Sequence, residues 1–375
     1  MKLLKVKVPS GYKMLAKDFE INFLTKTRVD KDSVNDNLIE LEDDFYYPIE
    51  TIFIGKNSSG KSTTIELLNI VFSFLRTGRI DSHYFDALNF EMEIVFYSNN
   101  LLFEYKGSFN KDTAKNREYL IIENESLEKT ALKPSYKKDL SNAAFFKDNT
   151  FKSNVGGDTS NISKSISDLG FNLATDSYSY GVELFNLFYE TLGKDTFDAL
   201  THLFDDSVDS IVPHKEENGK TDGFLFKRTT SANPILVGHD YLEKVLSKGT
   251  IRGINLYGFS ILAFKNGGTI IADEIEKSFN RNLIENLIIM FNDPSINKNK
   301  ASIIYSTHYS ELLDGNDRCD NVNVLHRNGN VITLMNMSKD YNCRTDMLKS
   351  SQFNANVFDT LINYDRLMEL KETLR

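Results

Sequence analysis

Gly55-Lys56-Asn57-Ser58-Ser59-Gly60-Lys61-Ser62 fits the pattern GxxxxGK[ST] in full. The apolar Ile52-Phe53-Ile54 precedes it, and Thr63 opens a helix-forming run that carries Ile65, Leu67, Leu68, Val71, Phe72 and Leu75. A strand that turns through glycines into a helix is the setting in which this pattern holds phosphate. The glycines let successive backbone N–H groups point at phosphate oxygens, and the positive end of the following helix adds to the attraction. Gly55 through Thr63 therefore read as a nucleotide cradle, with Lys61 reaching the β- and γ-phosphates. Ser62 reads as a Mg²⁺ ligand through its hydroxyl, because this small, hard cation prefers oxygen and is normally shared with nucleotide phosphates.

Further along, Gly267-Gly268-Thr269-Ile270-Ile271-Ala272-Asp273-Glu274 reads as a buried strand ending in two acids. Open α/β sheets gather their ligands at the carboxyl ends of such strands. Asp273 is accordingly assigned to Mg²⁺, and Glu274 to the water that attacks the γ-phosphate, the positioning role that phosphoryl transfer demands. A third strand, Ser302–Tyr305, runs into Ser306-Thr307-His308. The order along the chain favours His308 as a γ-phosphate sensor over a structural histidine. Ahead of the acidic strand, Leu246-Ser247-Lys248-Gly249-Thr250 opens an apolar helix over Ile251–Phe264. A serine–glycine turn at a helix start can hold an anion, yet on the residues alone ordinary capping is the better reading of Ser247.

The 375 residues, 41% of them apolar, suffice for one main domain with an embedded lid. We divide them into an N-terminal lobe (1–110), an inserted lid or arm (111–238) and a C-terminal lobe (239–375). The N-terminal lobe should hold a hairpin over Leu3–Val8 and Phe19–Phe23, an acidic loop near Asp30–Asp44, and strands over Phe90–Tyr97 and Leu101–Tyr105. In the insertion Ser141–Ser179 is rich in Ser, Asn, Asp and Gly, whereas Val182–Leu203 has helical spacing. Lys133, Lys137 and Lys138 around Tyr136 read as a solvated face in preference to a nucleic-acid contact. The C-terminal lobe should add strands over Val322–His326 and Val331–Met335 and a helix over Phe358–Leu374. A net charge of -9 argues against a surface coated for nucleic acid, leaving only a local DNA contact open. Cys319 and Cys343 are too few for a disulfide framework and lack metal-ligand spacing, so they read as idle thiols in a reducing cytosol. With no signal-peptide core and no apolar run of membrane-spanning length, a soluble, cytoplasmic chain is expected.

With these elements in order, the chain resembles ABC-type ATPase heads of the SMC, RecF and OLD-like branch, which includes AAA-family ATP-binding proteins of bacterial anti-phage systems. The resemblance rests on residues 50–75, on Ser247-Lys248-Gly249-Thr250, on Asp273-Glu274-Ile275-Glu276-Lys277-Ser278-Phe279-Asn280, and on Ser306-Thr307-His308-Tyr309-Ser310-Glu311-Leu312-Leu313. It implies an α/β P-loop NTPase head with a mixed sheet and an inserted arm. It also implies ATP and Mg²⁺ as cofactors and a homodimer or higher homo-oligomer, in which Ser247 and Gly249 of one head close on the γ-phosphate held by the other. The signature turn is shorter than the family's Leu-Ser-Gly-Gly-Gln. No glutamine loop can exist either, since Gln352 is the only glutamine. Glu91 and Glu93 are the candidates to replace it. The expected function is ATP hydrolysis that controls a separately encoded effector, a nuclease or toxin, in anti-phage defence or toxin–antitoxin control. A RecF-like DNA-repair ATPase and a nucleotide-clamped scaffold with little turnover are the alternatives.

Overall fold

The computed structural model describes residues 1–25, 29, 37–42, 45–85, 89–111, 118–132, 140, 148–162, 181–216, 221–277, 280–316, 318–341, 343, 347–360 and 364–374. Alternating apolar residues pair β1 (Lys2–Val8) with β2 (Phe19–Asn22) in the expected antiparallel hairpin. The acidic stretch is not all loop: β3 (Leu38–Glu42) pairs with β4 (Phe45–Pro48), because Leu38, Ile39 and Leu41 supply the apolar residues that a strand needs. β5 (Glu50–Ile54) is buried along its whole length and leads through the glycine-rich loop into α1 (Lys61–Thr77).

β6 (Asn89–Ser98) and β7 (Leu101–Asn110) then turn at Asn99 and Asn100, both at positive φ, a conformation that asparagine tolerates better than most residues. Within the 111–238 stretch, β8 (Ile121–Ala131) and β9 (Asp148–Gly157) pair onward from β7. The result is an antiparallel sheet in the order β2-β1-β6-β7-β8-β9. The helical run after it divides into α2 (Phe185–Leu192) and α3 (Lys194–Phe204) at Gly193, which sits at φ +87°. β10 (Val208–Lys215), β11 (Thr221–Arg228) and β12 (Ile235–Val237) form a small antiparallel sheet beside them. The basic cluster of Lys133, Tyr136, Lys137 and Lys138 lies outside the described residues, as does most of Ser141–Ser179.

α4 (His239–Val245) and α5 (Lys248–Asn266) precede β13 (Thr269–Ala272). α5 lies against α2 and α3 through glycines: a Cβ at Gly253 would meet the Phe204 ring at 2.2 Å, and one at Gly258 the Phe188 ring at 2.9 Å. α6 (Arg281–Asn292), β14 (Ser302–Thr307), β15 (Val322–Asn328) and β16 (Val331–Asn336) complete a five-stranded sheet in the order β13-β14-β5-β15-β16. Every neighbouring pair in this sheet is parallel except β15 with β16. α7 (Met337–Asp340), α8 (Lys349–Asn354) and α9 (Tyr364–Thr373) follow. The protein is thus an α/β P-loop fold with a mixed sheet. α1 sits between the two large sheets. It contacts β13 and β14 on one side, and Phe74 packs on Tyr105 and Phe109 of β7 at 5.0 and 5.6 Å on the other. That position explains why α1 buries apolar residues on two sides and keeps the stripe Ser62, Glu66, Asn69, Ser73 and Arg76 polar.

At the amino end of β5, Glu50 is fully buried. It accepts the Tyr305 hydroxyl through one oxygen, while Oε2 has no hydrogen-bond partner among the described residues. Burial pushes its pKa from 4.5 up to about 7, against the opposing pull of Tyr305, Asn316 and Lys349. A folded-state pKa above the unfolded one means that the native chain keeps a proton the unfolded chain gives up, so stability falls as pH rises from about 4.5 to 7. Glu50→Gln, neutral throughout, should remove that slope and stabilise the protein by on the order of 3 kcal/mol above pH 7. Chemical denaturation of both proteins at pH 5 and pH 8 checks this, and equal pH dependence would show that Glu50 is already ionised.

Candidate nucleotide site

Because β13, β14, β5 and β15 run parallel, their carboxyl ends open on one edge of the sheet. The loop after β5 is packed from behind. A Cβ at Gly55 would meet the Leu325 carbonyl oxygen at 2.7 Å, and one at Gly60 would meet Ile332 Cδ1 at 2.5 Å. Gly60 also takes φ +104°, which only glycine adopts without strain. It occupies the N-cap of α1, and no side chain caps the helix. The first-turn N–H groups thus have no capping side chain to compete with an anion. The Ser59 hydroxyl, in the loop itself, is buried with no hydrogen-bond partner among the described residues. An uncapped helix start behind a glycine loop and an orphaned hydroxyl fit a bound phosphate.

Lys61 folds back over this loop, its Nζ donating to the Gly55 carbonyl at 2.7 Å and the Lys56 carbonyl at 3.1 Å. Burial lowers its pKa to about 8, and the carboxylates of Asp273, Glu276 and Glu274 oppose that shift. The lysine thus feels the charge of all three acids, and shares its cavity with Glu274. A cavity of about 320 Å³ is lined by Asn57, Ser58, Gly60, Lys61, Ser62 and Thr63, together with Glu274, His308, Met14 and Arg327. The phosphate loop, one of the two acids and the histidine are therefore brought to one space.

Serine and threonine at the end of β14 hold the acidic turn. The buried Ser306 hydroxyl donates to Asp273 Oδ1 and accepts the Glu274 backbone N–H at 2.7 Å. Glu276 reaches the other way, accepting the Thr307 hydroxyl at 2.8 Å and the His308 backbone N–H at 2.6 Å. His308 Nε2 consequently stands 3.7 Å from Glu274 Oε1, and Lys277 Nζ lies 3.8 Å from Oε2. Glu274 itself sits at φ +44°, a left-handed conformation that costs a non-glycine residue on the order of 1 kcal/mol. Arg252, one turn into α5, donates to the Asp273 and Glu274 carbonyls at 3.2 and 2.9 Å. Ser306, Glu276 and Arg252 were not among the residues assigned from sequence. Ser306 and Glu276 stood inside quoted motifs, whereas nothing in the sequence marked Arg252.

A hydroxyl on Ser62 and a carboxylate on Asp273 are hard oxygen donors of the kind Mg²⁺ takes. Among the described residues no group of three or more His, Cys, Asp or Glu side chains could hold a metal ion. A cation here would therefore draw the rest of its shell from phosphate and water. Ser247 is an ordinary N-cap: its Oγ accepts the Thr250 N–H at 2.9 Å. Neither Ser247 nor Gly249 lines the phosphate cavity of its own chain. Glu91 and Glu93 line a different cavity, of about 480 Å³, on the six-stranded sheet. Ser278 and Phe279 lie outside the described residues.

No described helix is long and apolar enough to cross a membrane. No curated protein matches the chain. Among solved structures, it is similar to the SMC head domain from Thermotoga maritima, at 14% identity and a TM-score of 0.42, over 90% of this chain and 99% of that one. It is similar as well to an SmcHead bound to the C-winged helix domain of ScpA, at 11% identity and a TM-score of 0.47, over 89% of this chain and 97% of that one. The family described as "AAA domain, putative AbiEii toxin, Type IV TA system" matches residues 51–314. That match runs from β5 past the end of β14 and takes in more than half of the chain, which therefore belongs to this family of AAA domains.

Proposed function

We propose that the chain binds ATP on residues 55–63, hydrolyses it with Glu274, and uses nucleotide-dependent pairing of two copies to control a separately encoded effector, a nuclease or toxin. The observation that carries the hydrolytic reading is the convergence of Lys61, Glu274 and His308 on one cavity at the carboxyl edge of a parallel sheet. Backbone N–H groups of the loop and the Lys61 ammonium bind and orient the phosphates. Glu274, fixed by Ser306 and Arg252, accepts the proton of the attacking water, and His308, fixed by Glu276, faces the same space. Ser62 and Asp273 would hold Mg²⁺, which when bound supplies charge neutralisation across the phosphates. The toxin and toxin–antitoxin wording of the family description supports a role in toxin–antitoxin control or anti-phage defence, which we assign to the cytoplasm.

Pairing of heads is supported by Ser247 and Gly249, which stand at the start of α5 outside the lining of their own chain's phosphate cavity and would in this reading serve a second copy. The N-terminal lobe (1–110) and C-terminal lobe (239–375) would act as one unit, since β5 from the first is hydrogen-bonded between β14 and β15 of the second. In this reading, 111–238 is the inserted arm. Sedimentation of Glu274→Gln with Mg·ATP should show a doubled mass, and Lys61→Ala should stay at its nucleotide-free mass. A mass indifferent to ATP in Glu274→Gln would remove the pairing step.

A further inference from the structure

Cys319 and Cys343, the only cysteines of the chain, have no part in the nucleotide site, yet their sulfur atoms lie 2.7 Å apart. Cys319 stands just before β15 and is buried, while Cys343 follows α7 and is half-exposed. The position of Cys343 is fixed by its N–H, which donates to the Met337 carbonyl at 3.2 Å, and by Gln352 Nε2, 3.8 Å from its sulfur. The elements on either side of this pair are already in contact. α8 packs on the turn Ser310–Gly315, which follows His308. There the Ser350 N–H donates to Asp314 Oδ1 at 3.0 Å and Lys349 Nζ donates to the Asn316 carbonyl.

We propose that Cys319 and Cys343 form a redox-modification site, at which a peroxide converts the two thiols into an intramolecular disulfide. The bond would tie the C-terminal clip, α7 to α8, to the segment that leads from His308 into β15. This inference stands apart from ATP hydrolysis, since the chemistry needs only the two sulfurs and the oxidant.

Burial, with the neighbouring Cys343 adding to it, pushes the Cys319 thiol up to about 12, against the pull of Lys349. Cys319 is therefore protonated at neutral pH, and the half-exposed Cys343 is the sulfur that meets the oxidant. The Cys343 sulfur attacks one peroxide oxygen; the S–O bond forms, the O–O bond breaks, and the departing hydroxide takes up the proton that the Cys343 thiol gives up and leaves as water. The Cys319 sulfur then attacks the sulfenic sulfur of Cys343; the S–S bond forms, the S–O bond breaks, and a second water leaves with the Cys319 proton. Two electrons pass from the thiols to the peroxide, which ends as two waters. The partners are 24 residues apart in sequence, so the closed loop removes freedom from the unfolded chain and should raise the melting temperature.

The test treats the full chain with hydrogen peroxide, then denatures and alkylates it and measures its intact mass. The expected product has lost the mass of two hydrogen atoms, takes no alkyl group, and regains both alkylation sites after a thiol reductant. A non-reducing peptide map should join the Cys319 and Cys343 peptides, and the melting temperature should rise by a few degrees. Cys319→Ser should leave Cys343 to gain oxygen mass or to link two chains, and Cys343→Ser should suppress both reactions. A wild-type chain that still takes two alkyl groups after peroxide, gains only oxygen, or links only between copies would overturn the proposal.

Discussion

Glu274→Gln is expected to cut the steady-state rate of ATP hydrolysis by roughly a hundredfold to ten-thousandfold, the span that a positioned proton acceptor contributes, while leaving ATP bound. The substitution keeps the size of the side chain. It also keeps the backbone contacts that hold the turn, namely the Ser306 hydroxyl on the residue 274 N–H and the Arg252 guanidinium on its carbonyl. What it removes is the carboxylate that can take a proton, and with it the charge 3.7 Å from His308 and 3.8 Å from Lys277. Because Glu274 lines the phosphate cavity without being part of the loop, binding through the loop should persist. Measuring kcat beside the Kd of a fluorescent ATP analogue separates the two effects. A kcat within severalfold of wild type would show that another group accepts the proton.

Lys61→Ala should act on the other quantity. Its ammonium is held against the loop carbonyls, so bound phosphates would replace carbonyl partners with charged ones. Truncating one member of a buried, charge-assisted pair costs about 3 kcal/mol, which is over a hundredfold in Kd. The depressed pKa gives a second, independent signature. Free Lys61 titrates at about 8 because burial disfavours the cation, whereas phosphate favours it, so binding must take up a proton above that pH. The sign follows directly: affinity for ATP is flat below pH 8 and falls with rising pH beyond it, by up to tenfold per pH unit. Calorimetry at pH 8.5 in two buffers of different ionisation enthalpy reads the proton uptake, and Lys61→Ala should abolish it.

How much of this was legible in the sequence depends on the range of the interaction. The loop 55–62, the buried strands around it and the acids after β13 are local patterns, each fixed by glycine, charge or alternation within a few residues. The insertion of β14 between β5 and β13 is not local. It arises from pairing Ile303 with both Glu50 and Ile270, residues far apart in the chain, and it decides that Ser306 and Thr307 stand beside Asp273 and Glu276. For that reason Ser306 and Glu276 could be quoted within motifs without their partners being known. Arg252 was hidden more deeply, since one arginine on an apolar helix carries no signal until α5 is packed beside the acidic turn. The division of one expected helix at Gly193, and the strand β3 inside an acidic run, are cases where one glycine or three apolar residues outweighed the composition around them.

Phosphate release from Mg·ATP by the wild-type chain tests the central claim most directly. The account predicts release over many turnovers, abolished by chelating Mg²⁺ and reduced at least a hundredfold in Glu274→Gln. Tight binding of ATP with less than one equivalent of phosphate released per chain would contradict it, and would make the nucleotide a structural clamp.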